Sequence, residues 1–198
     1  MSELSVERLH GASLTRYLHA LASLRIAVFR EFPYLYEGSH AYELDYLSRY
    51  AEAEGSSLVL ARDGDRVIGA ATCTPLMGQG EEVIRPFRDA GYDPAEVFYF
   101  GESVLLPAYR GRRIGHAFFD HREQAAREGG FRIVTFCAVV RPEDHPRRPA
   151  NYVPHDAFWT KRGFRRRPEL STHFSWRDLD EEQESEKTMV FWTRELAP

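Results

Sequence analysis

The residues best suited to chemistry stand together in segment 106–116, which reads Leu-Pro-Ala-Tyr-Arg-Gly-Arg-Arg-Ile-Gly-His. The first turn of a helix leaves about four backbone N–H groups unpaired and carries partial positive charge. A phosphate satisfies both, glycines let it approach the backbone, and arginines add charge around it. The segment therefore predicts a phosphate or diphosphate site. The residues expected to form it are Arg110, Gly111, Arg112, Arg113, Ile114, Gly115 and His116.

Two other phosphate-binding motifs do not fit this segment. A P-loop requires Gly-Lys-Ser or Gly-Lys-Thr, and a dinucleotide-binding fold requires GxGxxG, neither of which the segment contains. Nucleic acid is not an expected partner either. The chain has 26 basic and 30 acidic residues and a net charge of -4, so it lacks the basic field that attracts a phosphate backbone.

The elements around the segment predict an α/β arrangement. Residues 97–106 read as an apolar strand with one embedded carboxylate, Glu102. A helix is expected over 109–129 and a second apolar strand over 131–140. Strand, helix and strand in this order are typical of a parallel crossover, which would place the phosphate site at the end of a buried strand.

The rest of the chain supplies further strands and helices, and we expect residues 1–198 to form a single domain. The turn Asp63-Gly64 predicts a hairpin. Four prolines make 141–155 an irregular loop. The acidic run 178–186 is interpreted as a solvated hairpin tip. The predicted strands are 4–9, 57–61, 67–74, 170–176 and 188–193, and the predicted helices are 14–32, 41–53, 81–90 and 156–162.

Segment 106–116 resembles the signature of the GNAT N-acetyltransferase superfamily, which is Arg or Gln, two residues, Gly, one residue, then Gly or Ala. Arg110 and Gly115 match its outer positions, whereas Arg113 stands where the family usually has its first glycine. The order of elements is similar along nearly the whole chain, including a late helix that ends in Gly163-Phe164. The resemblance implies a mixed, mostly antiparallel central sheet of six to seven strands flanked by helices. It also implies a splayed parallel strand pair and a C-terminal hairpin.

The resemblance implies an N-acetyltransferase that uses acetyl-CoA as co-substrate. A primary amine would attack the thioester directly in a ternary complex. The pantetheine arm would lie in the gap between the splayed strands, against the backbone of Val104, Leu105 and Leu106, whose N–H groups could stabilise an oxyanion. At the position of Trp159, family members commonly have a tyrosine that acts as the general acid and protonates the departing thiolate. An indole cannot protonate a thiolate. Trp159 is therefore expected to pack against the cofactor. Either the thiolate leaves unaided or another group protonates it, and Tyr152 is the candidate for that group.

Two further groups are candidates for the acceptor side. Glu102 is the candidate base, because burial in a strand raises the proton affinity of a carboxylate. The alternative is that Glu102 forms an ion pair with a nearby arginine. In the aromatic linker 32–38, Tyr34, Tyr36 and Glu37 are candidates to surround a cationic amine. Their alternative is ordinary packing between two helices.

Other functions and properties follow less directly. The departures at Arg113 and Trp159 leave open a sensor that binds an acyl-CoA without turnover, and the charged runs leave open an interaction module. The acceptor would be an amine of a small molecule or peptide, and a homodimer stays open.

We expect Cys73 and Cys137 to be buried and reduced, and we expect no metal site. Without a secretion signal or an apolar run near about 20 residues, a cytoplasmic protein with no membrane partner is expected.

Overall fold

The computed structural model describes residues 4–197, with all their side chains except those of residues 11, 12 and 49–51. Its centre is a seven-stranded sheet in the order β1-β2-β3-β4-β5-β7-β6. The strands are β1 (Leu4–His10), β2 (Ser57–Asp63), β3 (Arg66–Pro75), β4 (Val97–Leu105), β5 (Ile133–Val139), β6 (Arg165–Trp176) and β7 (Ser185–Glu195). The helices are α1 (Leu18–Phe29), α2 (His40–Glu52), α3 (Glu81–Asp89), α4 (Ile114–Glu128) and α5 (Asp156–Lys161).

This architecture confirms the predicted fold class. Only β4 and β5 pair in parallel, and every other neighbouring pair is antiparallel. The hairpin predicted at Asp63-Gly64 joins β2 to β3, and Gly64 takes a left-handed conformation with φ 58°. No helix of residues 4–197 is both long and apolar enough to cross a membrane.

Strands β4 and β5 separate soon after they start. They pair only over residues 97–99 and 133–135, while β4 continues alongside β3 and β5 continues alongside β7. Between Phe100 and Ser103, β4 has one residue more than the facing segment of β3, which makes a β-bulge. A bulge bends the strand and increases its twist. Beyond Tyr99 the sheet therefore opens into a gap, as expected for a splayed parallel pair.

Apolar helix faces cover both sides of the sheet around this gap. Helix α4 packs Ile114 and Phe118 against β2 and β3, and its Phe119 reaches Phe136 of β5 at a ring-centroid distance of 5.9 Å. Helices α1 and α2 bury Leu21 and Leu47 against the opposite face. The gap is thus held between two helical layers.

The acidic run 178–186 is a partly wrong prediction. Asp178 is buried and accepts two hydrogen bonds from the guanidinium of Arg141, at 2.7 and 2.9 Å. Lys187 is buried nearby, with its Nζ 3.6 Å from Asp178 and 2.8 Å from Glu181. A bidentate guanidinium pair lets a carboxylate stay charged away from water. The run therefore anchors the hairpin to the 141–155 loop instead of forming a purely solvated tip.

Candidate active site

The gap between β4 and β5 opens into a cavity of about 1280 Å³. Its floor is formed by the two separated strands, and its walls by the α1–α2 linker, the start of α4, the 141–155 loop and α5. Pockets for drug-sized ligands typically measure about 300–1,000 Å³, so this cavity has room for a longer ligand. The strand residues on the floor are Gly101, Glu102, Ser103, Leu105, Phe136, Cys137, Ala138 and Val139.

The start of α4 leaves its backbone amides open towards this cavity. A short 3-10 turn, Pro107–Tyr109, follows β4, and regular helix begins only at Ile114, later than the predicted residue 109. Among the described residues, no hydrogen-bond partner is found for the N–H groups of residues 111–116. Gly111 and Gly115 line the cavity wall. Protein groups therefore do not seal the turn, and its donors can bind an anion.

Helix α4 starts late because two residues before it are left-handed. Gly111 has φ 78° and Arg113 has φ 64°. Glycine takes this conformation freely, whereas a residue with a Cβ pays about 1–2 kcal/mol. Arg113 stands at the position where the motif usually has glycine. The left-handed backbone conformation at that position is therefore kept, and the arginine adopts it with strain.

Replacing Arg113 therefore gives a testable expectation. We expect Arg113→Gly to have a free energy of unfolding about 1 kcal/mol higher than Arg113→Ala, because both remove the guanidinium but only glycine relieves the strain. Gly111→Ala is the reciprocal control and should destabilise by a similar amount, since a Cβ there has no neighbour within 4 Å and meets only strain. Urea unfolding measures all three. Equal stabilities of the two Arg113 variants would contradict the strained backbone.

The basic residues of the turn differ in how they are engaged. Arg110 forms an ion pair of 2.8 Å with Glu31 of the α1–α2 linker and donates to the carbonyl of Leu105 at 3.3 Å. Arg112 lies over the ring of Tyr109 at 5.1 Å. No carboxylate within the described residues forms an ion pair with Arg112 or Arg113. Neither of these two side chains is among the residues that line the cavity, whereas Arg110 is.

Backbone direction decides which residues of β4 face the gap. The N–H of Leu106 donates to Ile68 of β3 at 2.9 Å, and the N–H of Glu102 donates to the hydroxyl of Thr72 at 3.2 Å. Because amides alternate along a strand, Val104 faces β3 as well, whereas Ser103 and Leu105 face the gap. Of the three residues predicted to hold pantetheine, only Leu105 has its amide at the gap. Sequence reasoning missed Ser103, because amide direction depends on the register with β3.

Glu102 lies on the cavity floor and is also ion-paired. Its Oε1 is 2.5 Å from Nη1 of Arg25, and its Oε2 accepts a hydrogen bond of 3.3 Å from Tyr46. Arg25 also pairs with the fully buried Glu43. Burial alone would lower the pKa of Arg25, but Glu102, Tyr46 and Glu43 together raise it above its usual value. The arginine stays charged, so the ion pair foreseen as the alternative is present, and the carboxylate still borders the cavity.

The two candidates from the C-terminal half, Tyr152 and Trp159, also border the cavity. Tyr152 meets the ring of Phe32 edge-on at 4.7 Å. Burial raises the pKa of the Tyr152 hydroxyl, which keeps its proton at neutral pH. Trp159 packs against Phe136 at 5.0 Å and Trp192 at 5.1 Å. The phenol on the wall is thus protonated, and the indole is an apolar surface beside the floor.

The three candidates from the linker do not come together. Tyr34 borders the cavity, and burial raises the pKa of its hydroxyl. Tyr36 instead forms a β-bridge with Asp178, and Glu37 forms an ion pair of 3.2 Å with Arg177. Neither Tyr36 nor Glu37 is among the residues that line the cavity. Only Tyr34 of this group is therefore in a position to contact a ligand there.

Arg141 holds the linker against the 141–155 loop and was not foreseen. Its guanidinium donates to the carbonyls of Pro33 at 2.7 Å and Tyr34 at 2.8 Å, in addition to its bidentate pair with Asp178. The indole of Trp176 donates to the same Tyr34 carbonyl at 3.0 Å. Arg141 therefore fixes one wall of the cavity through long-range contacts, which the local sequence pattern does not predict.

Both cysteines are free thiols. Cys73 is buried in the core, as predicted. Cys137 is only half-buried and lies on the cavity floor, where its sulfur is 3.3 Å from the hydroxyl of Tyr99. Burial raises the pKa of the Cys137 thiol to about 11. It is therefore protonated at neutral pH.

Comparison with known proteins agrees with this geometry. Residues 21–164 match the model of the Acetyltransferase (GNAT) family, and the chain therefore belongs to that family. It is an acyl-CoA-dependent N-acetyltransferase with acetyl-CoA as co-substrate. The open amides, the free edge of β4 and the long cavity all fit a coenzyme A thioester.

Solved structures share the fold at low sequence identity. An N-acetyltransferase from Staphylococcus aureus Mu50 superposes with a TM-score of 0.64 at 11% identity, over 99% of this chain and 100% of that one. Ribosomal-protein-alanine N-acetyltransferase from Brucella melitensis gives 0.62 at 14% identity, over 96% and 99%. A protein from Salmonella typhimurium, named as an acetyltransferase and solved with its cofactor acetyl-CoA, gives 0.61 at 9% identity, over 98% and 94%. Among curated proteins, no sequence matches the chain.

Proposed function

We propose that this protein transfers an acetyl group from acetyl-CoA to the primary amine of a small molecule or peptide, by direct attack in a ternary complex. One observation carries the proposal. The unpaired amides at the start of α4 open to the same cavity as the free edge of β4. A diphosphate and an extended arm can therefore bind to one continuous surface. We expect this chemistry to take place in the cytoplasm.

The residues of the cofactor side hold and orient the donor. The amides of residues 111–116 bind the diphosphate, and Arg112 and Arg113 add charge beside them. The N–H groups of Ser103 and Leu105 pair with the pantetheine arm and polarise the carbonyl of the acyl group. When bound, acetyl-CoA supplies an activated thioester, so no side-chain nucleophile is needed.

The residues of the acceptor side move protons. Glu102 accepts a proton from the incoming ammonium, and Arg25 and Tyr46 hold its carboxylate in place. Tyr152 returns a proton to the departing thiolate, since its hydroxyl is protonated at neutral pH. Trp159 supplies apolar contact and no proton.

A free-thiol release assay with acetyl-CoA and a panel of amines tests this function. We expect thiol release with at least one amine class, and mass spectrometry of the product should show an added acetyl group. We also expect coenzyme A at a hundredfold excess over its Kd to stabilise the fold by about 2.7 kcal/mol in thermal unfolding. Stabilisation without turnover would favour an acyl-CoA sensor. Absence of both would favour an interaction module.

A further inference from the structure

The charged side chains on the cavity wall fall into paired and unpaired groups. Glu31 pairs with Arg110, and Glu102 with Arg25. Four guanidinium groups on the wall form no ion pair with any described carboxylate. Two carboxylates there, those of Glu143 and Asp156, also form none. The four unpaired guanidinium groups belong to Arg30, Arg147, Arg148 and Arg166.

Arg148 is held in place without being neutralised. Its guanidinium lies 5.1 Å from the ring centroid of Tyr152 and 6.0 Å from that of Phe32. These two rings contact each other at 4.7 Å. A guanidinium over an aromatic ring keeps N–H donors free at its edge, and these donors match the geometry of a carboxylate or phosphate. The neighbouring Arg147 adds a second cation.

The position of Arg148 assigns it to the acceptor rather than to the diphosphate. The start of α4 has open amides of its own for the diphosphate, with Arg112 and Arg113 next to them in the chain. Arg148 instead rests on Phe32 of the linker and on Tyr152, the proposed proton donor. The loop that bears it is fixed to the carbonyls of Pro33 and Tyr34 through Arg141.

We propose that Arg148, assisted by Arg147, binds an anionic group of the acyl acceptor. The acceptor is then an amine that also bears a carboxylate or a phosphate. Its ammonium approaches Glu102 while its anion binds at the 141–155 loop. This inference rests on the acetyl transfer proposed above, and it adds the chemical class of the acceptor.

Matched acceptor pairs test the inference. Tyrosine is compared with tyramine, arginine with agmatine, and phosphoethanolamine with ethanolamine, by thiol release. We expect kcat/KM to favour the anionic member of at least one pair by about tenfold, the usual effect of a charged hydrogen bond. Arg148→Gln should bring that ratio close to one, and Arg148→Lys should restore part of it. Arg166→Gln, which removes an unpaired cation of the same wall on β6, should leave the ratio unchanged.

Three kinds of result would overturn the inference. The first is no preference for any anionic member, or a preference that survives in Arg148→Gln. The second is that Arg148→Gln binds coenzyme A more weakly than the wild type does but binds dephospho-coenzyme A equally well. Arg148 would then bind the 3′-phosphate of the cofactor instead of an acceptor anion. If no amine is acetylated, the proposed function fails, and binding decides the inference. In the wild type, N-acetyltyrosine should then stabilise the coenzyme A complex more than N-acetyltyramine does. Arg148→Gln should lose this difference. Equal stabilisation by the two ligands in the wild type is the third overturning result.

Discussion

Replacing Gly115 by Asp is expected to weaken coenzyme A binding by about 100-fold while leaving the fold at least as stable. A carboxylate in the first turn of a helix stabilises it by about 0.3–1 kcal/mol. A Cβ at this position meets only Cζ of Phe158, at an ordinary 3.9 Å. The same carboxylate stands where the diphosphate should bind. Losing charge-assisted hydrogen bonds worth about 1.5–3 kcal/mol, with repulsion added, gives a change of that size.

Gly115→Asn provides the matched control, since it has the same shape without the charge. We expect its Kd for coenzyme A to rise by about tenfold or less, measured by calorimetry, while urea unfolding compares the stabilities of both variants. The pair separates crowding of the turn from electrostatic repulsion. Equal affinities of Gly115→Asp and Gly115→Asn would place the diphosphate away from the start of α4.

Replacing Glu102 by Gln is expected to lower kcat by about 100-fold, the lower range for the loss of a general base. The rise of rate with pH should flatten as well, because that rise reports the ionisation of the base. Glutamine keeps one oxygen that can accept from Arg25, and its NH2 group can donate to the hydroxyl oxygen of Tyr46, so the shape of the side chain is retained. Steady-state kinetics across pH, with the best acceptor, measures both effects.

Glu43→Gln distinguishes catalysis from the stability of the buried ion pairs. Glu43 is the other carboxylate partner of Arg25, but it is fully buried and not among the cavity-lining residues. The variant should lose stability and keep the shape of the pH profile. The base assignment is wrong if Glu102→Gln leaves the profile unchanged, or if Glu43→Gln flattens it equally.

Local signals in the sequence were sufficient for many of the strands, helices and turns. The apolar run of β4, the glycine-bearing turn and the helix after it are contiguous, and the Asp63-Gly64 turn joins β2 to β3. Each of these depends on residues within a few positions of one another. The arrangement of these elements in a mostly antiparallel sheet came from the resemblance to the GNAT superfamily.

The contacts that define the active site were beyond local signals. Tyr46 and Glu102 are 56 residues apart, and Arg141 is 108 residues from Pro33. Their meeting depends on how α1 and α2 pack on the sheet. The predictions for Val104 and Leu106 failed for a different reason, because amides alternate in direction along a strand and the register with β3 turns both of these amides towards β3. A shift of one residue changes which amides face the gap.

The separation of β4 from β5 also has a mechanical consequence. Strands β1 to β4 form one half-sheet and β5 to β7 form another, joined by three residue pairs, the fewest between any two neighbouring strands. Phe119 of α4 spans the joint by contacting Phe100 of β4 and Phe136 of β5. A ligand that pairs with the free edge of β4 and packs on β5 therefore crosslinks the two half-sheets. The least connected line of the sheet is also the line along which we propose that the reaction takes place.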